Sequence, residues 1–348
     1  MRRPPKPLRP ASINQYRKQI YRFCGELIAA HVPAADIISL RDLVRPDRVD
    51  TGLRHMLSRN GEKKSQNIFM TAYMLKNIAK HYCKLEQSDV KKLETMCIKL
   101  KMPYRGMTAK NRSRLRQFDD LANVSRILHL GDSLVREAER LATQPRKAAC
   151  LVEMALAIEL SLITAIRIKN LAALHLNKNI QWQRAIKKDC CHLVLEPCEV
   201  KNEEHIELEL PAATASLLSL FVRRYRPLLV PSQSPWLFSR RDEPDPVSTV
   251  VLATRIKRII RDKTGLEVNP HLFRHLMGKL HLDARPGEYE VARRVLGHKS
   301  MATTVRAYTG AEAKAAYKLY DETLQKLRKA PLPKRSSSRL GYSNRGRS

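Results

Sequence analysis

A histidine and an arginine stand three residues apart in Asn269-Pro270-His271-Leu272-Phe273-Arg274. On a helix that spacing puts both on one face. Asn269 suits the cap of such a helix and Pro270 its first turn, so the pair would sit at a helix N-terminus, which favours an anion. Upstream, Arg167 follows the apolar run Leu151 to Ile163 and precedes Leu171, Ala172 and Leu174. An arginine so close to a core needs an anionic partner. Downstream, Gly297 of Leu296-Gly297-His298 is a natural helix C-cap, which leaves His298 in a turn, and Tyr308 follows His298 by ten residues (308 − 298). Cleaving a phosphodiester with a side chain requires a nucleophile for phosphorus, cations on the non-bridging oxygens and an acid for the departing oxygen. Each residue also has an ordinary reading: a structural ion pair for Arg167, a capping histidine and surface arginine for His271 and Arg274, core packing for Tyr308.

The composition points to the same kind of partner. Lys and Arg number 65 against 34 Asp and Glu, a net charge of +31 over 348 residues, which calls for a polyanion, DNA or RNA above all. The 43% hydrophobic content fits a soluble globular chain of about two domains. Seven cysteines are scattered without a Cys-x-x-Cys pair and read as reduced thiols of a cytoplasmic protein. Cys190, Cys191, His192 and Cys198 are a weak zinc set, because neighbours on a strand point to opposite faces. No apolar run is long enough to span a membrane, and the basic, Pro-rich start is not a secretory signal.

The positioning elements follow from periodicity. Residues 1–11 form a basic, Pro-rich arm. Ser12 and Gln15 predict a capping box, ahead of a helix with Ile13, Tyr16, Ile20, Phe23 and Leu27 on one face. A second helix runs through Ile68, Ala72, Leu75, Ile78, Ala79 and Tyr82, and residues 12–105 read as a helical domain. Residues 106–119 read as a basic linker whose Lys110, Arg112, Arg114 and Arg116 can lie along phosphates. Residues 120–329 form a second domain: a buried helix at 151–163, a hairpin of strands 192–199 and 205–210 with Lys201 at its edge, and helices at 217–226, 250–263, 271–282, 288–296 and 314–327. Tyr317 and Tyr320 are read as core residues there. Residues 330–348 cannot bury a core and read as a disordered basic tail.

The ordered set Arg167, His271-x-x-Arg274, Leu296-Gly297-His298 and Tyr308 spans 141 residues (308 − 167) and resembles the catalytic set of the tyrosine recombinases, the phage-integrase family. That family carries its first arginine within Thr-Gly-Leu-Arg. Here the segment is Thr164-Ala165-Ile166-Arg167, with Ala165 in place of the glycine, and Asn170 stands where the family usually has an acid. The second departure bears on what supports Arg167, not on the arginine itself.

The resemblance implies a mainly α fold with a small antiparallel sheet, a helical core DNA-binding domain and a tyrosine-recombinase catalytic domain. It implies that Tyr308 attacks the phosphate to form a 3′-phosphotyrosine, that Arg167 and Arg274 clamp the non-bridging oxygens, that His298 donates a hydrogen bond and that His271 assists proton transfer. The family's catalytic lysine lies on a hairpin between the first arginine and His-x-x-Arg, which assigns the leaving-group acid to Lys201. No cofactor or metal is expected. The expected partner is duplex DNA with inverted half-sites, held by a homotetramer, with an accessory directionality factor, in the integration or excision of a bacterial mobile element. A type IB topoisomerase and a DNA-binding regulator that has lost catalysis are the alternatives.

Overall fold

The computed structural model describes residues 7–103, 107–183, 190–230, 233–297, 300–308 and 313–329. The first six residues of the basic arm, the tail from 330 and His298 lie outside the described residues. The chain divides into two compact units, 1–105 and 106–348.

The first unit is helical: α1 (Pro10–Ala29), α2 (Leu40–Leu43), α3 (Pro46–Arg59), α4 (Gln66–Asn77) with a wider turn over Ile78–Tyr82, and α5 (Gln87–Leu100). Its core gathers Phe23 and Leu27 from α1, Leu53 from α3, Leu75 from α4 and Leu93 from α5. Gly52 lets α3 approach α1, since a Cβ there would stand 2.5 Å from the Phe23 ring. Two local expectations change. No capping box forms at Ser12, because Pro10 takes the first helical turn and starts α1 earlier, behind Arg9. Ile13 and Tyr82 are exposed, while Phe23, Leu27 and the residues from Ile68 to Ala79 on that stripe are buried.

The second unit opens with α6 (Ala109–Arg116), capped by the Thr108 hydroxyl, and a 3₁₀ turn at Gln117–Asp119. Then come α7 (Leu121–Leu128), α8 (Leu130–Glu139), α9 (Pro145–Thr164), α10 (Ile168–Ala172) and α11 (Leu176–Asn179). Strands β1 (Ile180–Gln183), β2 (Cys190–Leu195) and β3 (Ile206–Glu209) form an antiparallel sheet in the order β1-β2-β3, with Leu193 opposite both Ile180 and Leu208. The remaining helices are α12 (Ala212–Leu220), α13 (Thr249–Thr264), α14 (Pro270–Ala284), α15 (Tyr289–Leu296), α16 (Met301–Tyr308) and α17 (Ala313–Lys329). This is the mainly α class with a small antiparallel sheet. The apolar helix α9 is the centre of the core, buried on nearly every face and packed against α8, α13 and α14.

Three segments differ from the sequence-based expectation. The stretch 107–119 is not a solvated linker: Met107, Leu115 and Phe118 join the core of the second unit. Strand β2 ends at Leu195, because Pro197 lacks an N–H and the Glu199 carboxylate closes a turn by accepting from the Glu196 N–H at 2.8 Å. Tyr317 and Tyr320 are exposed rather than core, since no described residue of α17 joins the core of the unit.

Candidate active site

Helix α9 stops at Ala165, which takes the left-handed conformation (φ 48°, ψ 22°) at its C-cap. That backbone favours glycine, which accounts for the family's Thr-Gly and gives Ala165 a local cost. The reversal delivers Arg167 in extended geometry as the first residue before α10. Arg167 is half-buried, and desolvation pulls its guanidinium below the usual arginine range. It stays charged, as arginine does in proteins. Its Nη2 donates to Asn202 Oδ1 at 3.3 Å. Asn170, in the place of the family's acid, instead donates from Nδ2 to the Glu199 carbonyl at 3.4 Å.

Asn269 caps α14 as expected: its Oδ1 accepts from the Leu272 N–H at 3.0 Å, with Pro270 in the first turn. His271 and Arg274 follow one turn apart. Arg274 is 7% exposed and donates from Nη1 to the Ala165 carbonyl and from Nη2 to the Leu296 carbonyl. One side chain thus ties the C-terminal ends of α9 and α15 together. His271 keeps an exposed edge, and its imidazole is pushed below the usual range by desolvation first, then by the charges of Arg274 and Arg167. The ring stands edge-on to His275, with centroids 4.9 Å apart.

Gly297 caps α15 in the left-handed region (φ 55°, ψ 45°), and its carbonyl accepts from Asn202 Nδ2. Tyr308 is the last residue of α16, which packs on α15. Lys201 is exposed on the β2–β3 turn, between buried Val200 and half-buried Asn202. A cavity of about 180 Å³ opens among these segments, lined by Arg167, Asn202, Arg274 and Gly297 together with the carboxylate-bearing Glu204 and Glu207. The structure therefore brings together Arg167, His271, Arg274, the hairpin turn that carries Lys201 and the glycine before His298.

The basic residues of α6 are not among those that line the cavity. Lys110, Arg112 and Arg116 are exposed, whereas Arg114 is 21% exposed with its Nη2 3.8 Å from Glu267. Helix α6 packs on α14, and Gln117 Oε1 accepts from the Glu267 N–H at 3.0 Å. Sequence reading missed strand β1, and with it the segment between β1 and β2, whose Lys187 and Lys188 lie outside the described residues. It also missed Asn202, for an asparagine in a turn carries no signal of its own. Cys190 and Cys191 occupy opposite faces of β2, the latter fully buried, and among the described residues no cluster of three potential metal ligands forms. No described helix is long and apolar enough to cross a membrane.

Residues 134–315, just over half of the 348, match the sequence profile described as the phage integrase family. The chain belongs to the phage integrase family. It is accordingly a tyrosine-type site-specific DNA recombinase. Similar solved structures include XerH site-specific recombinase bound to palindromic difH substrate in a post-cleavage complex, at 12% identity and a TM-score of 0.43, covering 89% of this chain and 95% of that one. XerA recombinase is 16% identical, with a TM-score of 0.35 and 88% and 98% coverage. The Tn1549 transposon integrase in complex with transposon right end DNA is 12% identical, with a TM-score of 0.47 and 90% and 94% coverage. At such values the assignment rests on the family match. No curated protein matches this integrase in sequence.

Proposed function

We propose that this integrase cleaves and rejoins duplex DNA through Tyr308, in the integration or excision of a mobile element. The observation that carries the reading is the convergence of Arg167 and Arg274 on one cavity beside the Lys201 hairpin and the glycine that precedes His298. Tyr308 Oη attacks the scissile phosphorus, the P–O5′ bond breaks, and a 3′-phosphotyrosine forms with release of a 5′-hydroxyl. Arg167 and Arg274 hold the non-bridging oxygens, and His298 adds a hydrogen bond. The lowered His271 imidazole is neutral near neutral pH and so can take up the tyrosine proton. Lys201 gives a proton to the leaving 5′-oxygen. In the return step a 5′-hydroxyl from the partner duplex attacks phosphorus and frees the tyrosine, so the bond energy is conserved without ATP. Exchange between two duplexes, each with inverted half-sites, uses four protomers. Exposed Lys110, Arg112 and Arg116 of α6 contact phosphates in this assembly.

The test is a joining assay with two labelled duplexes built on the DNA junctions that flank the gene for this chain. Covalent joining of one duplex to the other at a fixed position supports the proposal. Relaxation of plasmids of any sequence, with no joining, would instead make the chain topoisomerase-like.

A further inference from the structure

The residue that holds Arg167 is not the acid of the family pattern but an amide from the hairpin. Asn202 Oδ1 accepts from Arg167 Nη2 at 3.3 Å, while Asn202 Nδ2 donates to the Gly297 carbonyl. The partners fix the orientation of the amide, because a guanidinium only donates and a carbonyl only accepts. Three separate segments meet at this side chain: the start of α10, the turn that carries Lys201, and the end of α15 immediately before His298.

Two side chains in the cavity lining therefore bridge separate segments. Arg274 joins the ends of α9 and α15 from a buried helix. Asn202 joins Arg167 to that same end of α15 from a tight turn, in which Glu203 sits in the left-handed region at φ 56°. An amide supplies an acceptor and a donor at once. A carboxylate would offer acceptors only and would neutralise part of the Arg167 charge beside the phosphate. Asn170 turns its Nδ2 to the Glu199 carbonyl, and among the described residues Asn202 is the side chain that accepts from the Arg167 guanidinium.

We infer that Asn202 is a positioning residue for strand cleavage: its amide sets the Arg167 guanidinium and the Gly297 turn in register with the hairpin that presents Lys201. The inference rests on the proposed roles of Arg167 and His298. It assigns Asn202 no contact with the scissile phosphate.

The experiment uses the full chain and a nicked suicide duplex built on the junction DNA, read as single-turnover cleavage at saturating protein, with DNA affinity and melting temperature measured alongside. Asn202→Ala is expected to cleave about 10- to 100-fold more slowly, the loss of a hydrogen bond to a charged group, with affinity unchanged. It should stay slow when the bridging 5′-oxygen is replaced by sulfur, because the defect is not in leaving-group protonation. Asn202→Asp, which keeps the acceptor and loses the donor, should be no faster than the alanine variant, and Asn202→Gln should recover part of the rate. Arg167→Ala is the control. If Arg167→Ala is slow and Asn202→Ala cleaves at the parent rate, the inference about Asn202 is overturned and the site reading stands. If Arg167→Ala itself cleaves at the parent rate, the site reading falls, and the inference with it. A slow Asn202→Ala that loses DNA affinity or melting temperature, is faster on the sulfur substrate, or is not improved in the glutamine variant assigns Asn202 a merely structural role or one in protonation, and overturns the proposal.

Discussion

Helix α6 carries four cations, and the structure separates them. Arg112 and Arg116 are four apart and exposed, so they share a face. Arg114 is 21% exposed and its charge already faces Glu267, 3.8 Å away. Neutralising Arg112 and Arg116 together should remove two phosphate contacts, and neutralising Arg114 none. Each contact contributes about 0.9 to the slope of log affinity against log salt, so the double variant should lose about 1.8 from that slope. From about 50 to 200 mM salt the parent integrase should therefore lose affinity about 12-fold more steeply than Arg112→Gln/Arg116→Gln. Fluorescence anisotropy with a labelled duplex of arbitrary sequence reads the slope directly, since phosphate contacts do not depend on base identity. An unchanged slope in the double variant would refute the placement of α6 on DNA. An equal change in Arg114→Gln would refute the argument from burial.

Three further outcomes follow from the same geometry. Lys201→Ala should cleave ordinary DNA about 10²- to 10⁴-fold more slowly, yet approach the parent rate on a 5′-bridging phosphorothiolate, whose thiolate leaves without a proton; failure of that rescue would move the acid role to His271 or to another lysine, such as Lys187 or Lys188. The His271 imidazole is lowered in the folded chain, so on acidification the unfolded chain takes up this proton first, and the site costs stability as pH falls below the usual imidazole value of 6.5 until the folded ring also protonates. An NMR titration should accordingly place the His271 midpoint below 6.5, moving upward in Arg167→Ala, and a midpoint at or above 6.5 in the parent chain would contradict the burial of the ring and the cations beside it. Lys279 is 8% exposed and pairs with Asp119 at 2.9 Å and with Asp283, which ties α14 to the segment after α6; both carboxylates are partly solvated, so Lys279→Met should cost less than a fully buried pair, about 1–3 kcal/mol by denaturant unfolding, and no loss would mean that the pair does not brace α14.

The site was legible where chemistry and local geometry coincide. Asn269 and Pro270 announce the start of α14, Gly297 announces the end of α15, and the apolar run of α9 identifies the helix that Arg167 must follow. What escaped depends on contacts distant in sequence. Nothing local to residues 107–119 distinguishes a basic linker from a helix whose Leu115 and Phe118 are buried, since a short basic segment with Met107, Leu115 and Phe118 as its large apolar residues fits both. Four residues, Ile180-Gln181-Trp182-Gln183, are too few for periodicity to reveal β1, and the strand forms because β2 offers its edge. Tyr317 and Tyr320 have the composition of a core stripe, but no described element of this chain covers them. Asn202 is the plainest case: its two partners lie 35 residues before it and 95 after it, so only the fold brings them together.

The central claim is that Tyr308 is the nucleophile. Incubating the chain with a nicked suicide duplex built on the junction DNA should leave a covalent protein–DNA adduct, because the nicked strand diffuses away before it can be rejoined. Peptide mass spectrometry should place the nucleotide on Tyr308, and Tyr308→Phe should form no adduct while still binding the duplex. An adduct in Tyr308→Phe, or one mapped to Tyr317 or Tyr320, would contradict the account.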